Sequence, residues 1–184
     1  MTKDLVKTSK FMSLVLRHKP DEIGLVLDGQ GWADIDELIE KAGRHGMALT
    51  RELIARVVET SDKQRFAIDA DGRRIRANQG HSVDIDLGLV PGEPPPILFH
   101  GTGETSVTAI RGEGLKAGQR QHVHLSPDED TAIRVGRRHG RPVVLRIAAG
   151  RMRESGHVFF LSTNGVWLTE AVPVQFIDFQ NEKL

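Results

Sequence analysis

Arg17, His18, Arg65 and Arg120 are the residues of this chain whose types best suit one chemistry, the grip of an anion. A guanidinium holds several N–H donors in one plane, which matches the oxygens of a phosphate. Arg17 and His18 stand in Leu16-Arg17-His18-Lys19-Pro20, where a helix should end. Arg65 stands in Asp62-Lys63-Gln64-Arg65-Phe66, where a strand should begin. Arg120 opens Arg120-Gln121-His122-Val123-His124-Leu125-Ser126, in what reads as a second domain. If the two halves of the chain face each other, the four side chains close on a phosphate between them.

Further polar candidates lie in the second half. Side chains alternate between faces along a strand, so Arg120, His122 and His124 share one face if pairing begins at Arg120, with Val123 and Leu125 toward the core. A His-x-His strand also fits a metal, with His100 as third ligand. Arg120 beside a cation and the lack of a matching carboxylate speak against that, so the expectation is a ligand-facing site without metal. A structural role for these histidines is the alternative. In His100-Gly101-Thr102, at a strand end, glycine permits close approach of the backbone to a ligand and threonine supplies a hydroxyl; an ordinary turn is the other reading. Gln79-Gly80-His81-Ser82 reads as a loop and Asn164-Gly165 as a tight turn between strands. Trp32 and Trp167 are expected in the core. The chain has neither a Walker glycine-lysine loop nor a G-x-G-x-x-G before a helix, which disfavours nucleotide sites of those designs.

The elements that must position these residues follow from periodicity and caps. Thr8 or Ser9 is expected to cap a helix carrying Phe11, Met12, Val15 and Leu16, ended by Pro20. Asp34 with Glu37 resembles a capping box ahead of Leu38, Ile39 and Ala42, and Thr50 caps a third helix. Phe66 and Ile68 alternate with polar positions, Asp69 to Gly72 turns, and Ile75 and Ala77 return. Helix, helix, helix, hairpin is the order of a winged helix-turn-helix over residues 1–85. Residues 86–96, with three consecutive prolines, read as a linker. Residues 97–184 read as a compact α+β lobe: a strand at Ile97–Phe99, a helix from Thr105 to Glu113, a strand at His122–Ser126, a helix after Pro127, and strands at Pro142–Ile147, Val158–Leu161, Val166–Thr169 and Val172–Ile177. The fold class is therefore α+β in two lobes.

Composition narrows the function. The 184 residues hold 25 Lys/Arg against 25 Asp/Glu, and residues 1–85 hold 14 of each, so a general nucleic-acid coat protein is disfavoured and any polyanion site must be a local cluster, of which Arg73-Arg74-x-Arg76 is one. No cysteine excludes disulfides and thiolate metal sites. No apolar run is long enough to span a bilayer and the N-terminus leads into no signal-peptide core, so a cytoplasmic protein without membrane contact is the default, and a monomer is expected.

Taken in order, these strings resemble the RNA 2′-phosphotransferase family (tRNA 2′-phosphotransferase, bacterial type). The similar segments are Ser9-Lys10-Phe11 through Leu16-Arg17-His18-Lys19-Pro20, Asp62-Lys63-Gln64-Arg65-Phe66, Gln79-Gly80-His81-Ser82, His100-Gly101-Thr102, His122-Val123-His124-Leu125-Ser126, Gly136 to Leu145 and Asn164-Gly165-Val166-Trp167-Leu168. The resemblance implies an N-terminal winged-helix RNA lobe and a C-terminal ADP-ribosyltransferase lobe. It implies RNA with an internal, tRNA-like 2′-phosphate as substrate and NAD⁺ as co-substrate. The phosphate would be ADP-ribosylated with loss of nicotinamide, then attacked by the ribose 2″-hydroxyl, leaving 2′-OH RNA and ADP-ribose 1″,2″-cyclic phosphate. The family's essential Arg-His-Arg-Arg set falls on Arg17, His18, Arg65 and Arg120. The NAD-contacting positions fall on His100, Gly101, Thr102, His122, His124 and Ser126. Two alternatives stay open: an ADP-ribosyltransferase that caps other nucleic-acid phosphates, and a winged-helix regulator whose second lobe senses a nucleotide.

Overall fold

The structure, a computed structural model, describes residues 3–61 and 63–179; Asp62, which opens the Arg65 motif, lies outside them. It is an α+β protein of two compact units, residues 1–88 and 89–184.

The first unit begins with α1 (Lys3–Arg17). Leu5, Thr8, Met12, Val15 and Leu16 are buried, a helical stripe that starts well before Phe11. Thr8 and Ser9 therefore lie inside the helix, 1% and 6% exposed, rather than capping it as the sequence predicts. The N–H groups of His18 and Lys19 close onto the Leu14 carbonyl, and Pro20 opens a short 3₁₀ turn to Ile23 because it cannot continue the helix. Then follow β1 (Ala33–Asp34), α2 (Ile35–Arg44), α3 (Arg51–Glu59), β2 (Phe66–Ile68) and β3 (Arg74–Ala77). Asp34 caps α2 by accepting from the N–H groups of Asp36 and Glu37, and Thr50 caps α3 through Leu53 N–H, as their side chains predict. The strands form an antiparallel sheet in the order β1-β3-β2, whose inner residues Phe66, Ile75 and Ala77 pack with the helices in one core. Trp32 is not in that core: the guanidinium carbons of Arg76 and Arg74 sit 4.6 and 5.4 Å from its ring centroid.

The second unit contains β4 (Leu98–Gly103), α4 (Val107–Glu113), β5 (Leu115–Lys116), β6 (Val123–Leu125), α5 (Glu129–Gly136), β7 (Pro142–Ile147), α6 (Ala149–Glu154), β8 (Phe160–Leu161), β9 (Trp167–Thr169), β10 (Ala171–Val172) and β11 (Ile177–Asp178). Its antiparallel sheets run β11-β7-β4, β6-β9-β8 and β10-β5. The strand expected over Val172–Ile177 is two strands in different sheets, because Pro173 has no N–H to donate and a 3₁₀ turn follows it. The proline-rich segment is bound at both ends: Asp86 N–H donates to Gly29 within the first unit, and Gly92 N–H to Phe159 within the second. Among the described residues no helix is long and apolar enough to cross a membrane.

Candidate functional site

In the first unit three of the four anion-binding candidates come together. Arg17 ends α1, and the N–H groups of Ser82 and Val83 both donate to its carbonyl, at 2.9 and 3.4 Å, so the loop after β3 straps the helix end. His18 Nδ1 lies 3.0 Å from Ser82 Oγ, which orients the ring. Arg17 Nη2 donates to the Arg65 carbonyl at 3.3 Å, and its guanidinium carbon lies 5.8 Å from the Phe66 ring centroid.

Arg65 is delivered by an unusual turn. Gln64 has φ 40°, a left-handed conformation that costs a non-glycine residue about 1–2 kcal/mol unless its surroundings hold it. Here Gln64 N–H donates to Ser61 at 2.8 Å, and Asn78 Nδ2 donates to the Gln64 carbonyl. Asn78 N–H then bonds the Arg65 carbonyl at 2.9 Å. Asn78 is thus a positioning residue that the sequence motifs do not single out; its only local signal is its place just before Gln79-Gly80-His81-Ser82. Among the described residues the Arg65 guanidinium makes no ion pair or side-chain hydrogen bond, and it lines a groove with His18.

His81 sits behind these groups, 1% exposed, and neither ring nitrogen has a hydrogen-bond partner among the described residues. Burial, then the charges of Arg17, His18 and Arg76, push its pKa down to about 4, so the ring is neutral near pH 7.

The second unit assembles the other candidates around β4. Phe99 and Ser126 exchange backbone bonds of 2.9 and 2.7 Å, which lays β4 against the segment that carries the histidines. His100 Nδ1–H donates to the His124 carbonyl at 3.0 Å; this tautomer leaves Nε2 as an acceptor. Burial lowers the His100 pKa, the charges of His139 and Arg120 push the same way, and the bond to His124 opposes them. Burial also lowers the pKa of His122, whose ring meets Phe160 edge-on at 5.6 Å.

Strand pairing begins at Val123, not at Arg120: Val123 and Leu125 are buried, and His124 points away from them. Arg120 lies in the turn after β5, with its N–H donating to Ala117 at 3.2 Å. It still reaches the site from there, because Arg120 Nη1 donates to His124 Nδ1 at 3.1 Å. Thr102 is 7% exposed on β4. At Gly101 the near neighbour is protein: a Cβ there would overlap the Ala132 carbonyl of α5, with its carbon at 2.6 Å and Gly136 N at 3.0 Å. Among the described residues no group of three or more His, Asp or Glu side chains is placed to hold a metal ion.

Comparison with known proteins gives a consistent likeness. The family described as "RNA 2'-phosphotransferase, Tpt1 / KptA family" matches residues 3–171. A probable RNA 2′-phosphotransferase of Agrobacterium fabrum (strain C58) is 56% identical over 170 residues, 92% of this chain and 91% of that protein. One from Pseudomonas aeruginosa (strain PAO1) is 56% identical over 176 residues, 95% of this chain and 97% of its own length. One from Hahella chejuensis is 52% identical over 177 residues, 96% of this chain and 95% of that protein.

Proposed function

Because this chain belongs to the RNA 2′-phosphotransferase family, a family of transferases, we propose that it removes an internal 2′-phosphate from RNA with NAD⁺ as co-substrate. The products are 2′-OH RNA, ADP-ribose 1″,2″-cyclic phosphate and nicotinamide. The observation that carries this reading is the convergence of Arg17, His18 and Arg65: the end of a helix and the start of a strand, each bonded to the segment after β3 and joined by the Arg17 side chain, present donor side chains at one place. In this reading residues 1–85 are a winged-helix RNA lobe, 86–96 a connecting segment and 97–184 an ADP-ribosyltransferase lobe.

Arg17, His18 and Arg65 grip the 2′-phosphate. A phosphate dianion is already a nucleophile, so these groups need to orient it rather than take a proton from it. His100, Gly101, Thr102, His122, His124 and Ser126 hold the NAD⁺, which supplies the ADP-ribosyl group and a good leaving group in its cationic nicotinamide. The fit is electrostatic. The burial that lowers the pKa of His100 and His122 favours neutral rings, which accept hydrogen bonds and do not repel a positive nicotinamide. Arg120 is the guanidinium of that surface, and it stabilises the charge that gathers on phosphate oxygens when the ribose 2″-hydroxyl displaces the RNA 2′-oxygen. His124 Nδ1, accepting from Arg120, aims that guanidinium.

The test is a short RNA with one internal 2′-phosphate, incubated with and without NAD⁺ and followed by product mass and nicotinamide release. NAD⁺-dependent conversion to 2′-OH RNA with the cyclic phosphate is expected. Folded protein that leaves the 2′-phosphate in place refutes the reading. Nicotinamide release that leaves ADP-ribose on another nucleic-acid phosphate would instead identify a capping transferase.

A further inference from the structure

We propose that the groove along α1 binds the RNA strand flanking the 2′-phosphate, with Lys10 contacting a backbone phosphate of that strand. The inference rests on the reading of His18 and Arg65 as the 2′-phosphate grip and extends it to the rest of the substrate.

The groove is open to solvent, with a volume of about 370 Å³, and its lining includes Val6, Lys10, Ser13, Leu14, His18 and Arg65. Concavities of that size take a small ligand of nucleotide dimensions. Val6, Lys10, Ser13 and Arg17 are spaced i, i+4, i+7 and i+11, so they form one stripe of α1 that ends at the anion grip. This stripe is distinct from the one that buries Leu5, Met12, Val15 and Leu16 in the core. Val6 is 39% exposed, which leaves an apolar surface at the far end of the groove. Lys10 is exposed and makes no ion pair among the described residues.

The occupant follows from continuity and charge. One end of the groove is formed by the groups that grip the phosphate, and what is covalently attached to that phosphate is the RNA strand itself. Val6 and Leu14 offer apolar surface to a sugar or base face, Ser13 a hydroxyl, and Lys10 a cation. Seven helical steps, a rise of about 10 Å, separate Lys10 from Arg17, and His18 lies beyond the helix end. Lys10 therefore meets a different phosphate from the one that His18 and Arg65 hold.

The experiment compares two substrates with the full chain at saturating NAD⁺: a dinucleotide with the 2′-phosphate at its single junction, and a nine-nucleotide RNA with the 2′-phosphate at its centre. The wild-type protein should use the longer RNA with the higher kcat/KM. Lys10→Glu should lower the long-to-short ratio roughly three- to tenfold, as expected when an exposed cation–phosphate contact is lost and replaced by repulsion. Lys10→Gln should make the slope of log(kcat/KM) against log[KCl] shallower by about 0.7 on the longer RNA, one counterion fewer on a single strand. Val6→Glu, at the far end of the same stripe, should also lower the ratio. A ratio and a salt slope that none of these variants moves overturn the proposal, as does a wild-type protein indifferent to RNA length. If the wild-type protein converts neither substrate, the underlying reading has failed and the inference falls with it.

Discussion

Gly101→Ala tests the packing of β4 against α5. A methyl group at 101 would overlap the Ala132 carbonyl and stand 2.6 Å from its carbon, where an ordinary carbon–carbon contact is about 3.5 Å. Helix α5 would have to lift from β4 by roughly 1.5 Å, because the carbonyl oxygen lies closer still. Glycines on both partners close the same seam: a Cβ at Gly136 would stand 2.8 Å from the Thr102 carbonyl oxygen, and one at Gly103 would stand 3.0 Å from the His139 carbonyl carbon. The shift therefore has no free side chain to absorb it. Overpacking a well-packed core costs roughly 1–3 kcal/mol, and a backbone-on-backbone clash belongs at or above the top of that range. For a unit of this size each kcal/mol lowers Tm by about 4–8 °C, so a fall of about 12 °C or more is expected. Gly112→Ala is the control, since a Cβ there meets nothing within 4 Å inside α4, and it should raise Tm slightly. Thermal unfolding followed by circular dichroism reads both. A Gly101→Ala protein that melts within about 2 °C of wild type would refute the packing argument.

Three further substitutions test other parts of the molecule. Arg120→Ala removes one charge-assisted donor worth roughly 1.5–3 kcal/mol, so kcat/KM should fall about 10- to 150-fold; because Arg120 is exposed, Tm should hold, and unchanged turnover would sink its assignment. His81, at about 4 when folded against an ordinary 6.5, refuses a proton that the unfolded chain binds between those values. Its contribution is complete above pH 6.5 and is lost as pH falls toward 4, by about 2 kcal/mol at pH 5. Urea unfolding at pH 7.5 and 5.0 should therefore show a smaller acid loss for His81→Leu than for wild type, and parallel profiles would exclude His81 as the source. Asp34→Ala removes the cap of α2 and should cost about 1 kcal/mol in the same assay, with Asp34→Ser retaining most of it.

How much of this was legible in the sequence depended on the range of the forces involved. The caps at Asp34 and Thr50 and the stop at Gly114 were predictable because each is decided within four residues. Thr8 and Ser9 misled because their hydroxyls suit a cap, while the apolar stripe that decides the helix start runs back to Leu5. Helix α6 escaped because it has six residues, a glycine within it and no capping side chain. Arg17, His18 and Arg65 could be picked out by type. Two features that shape their setting could not: the amide of Asn78 holds a strained turn 14 residues away, and His81 is neutral only because the folded chain buries it beside cations.

The bonds that hold Arg17 and Arg65 in place have a consequence for how this site tolerates change. Their carbonyls receive the main-chain N–H groups of Ser82, Val83 and Asn78, so most of the framework is written in atoms that every amino acid except proline, which lacks the N–H, supplies in full. The scaffold and its charge are therefore largely separable. The Arg65 guanidinium, which holds none of these bonds, can be exchanged while the helix end, the turn and the strap remain where they are, whereas the Arg17 guanidinium also ties the helix end to the Arg65 carbonyl.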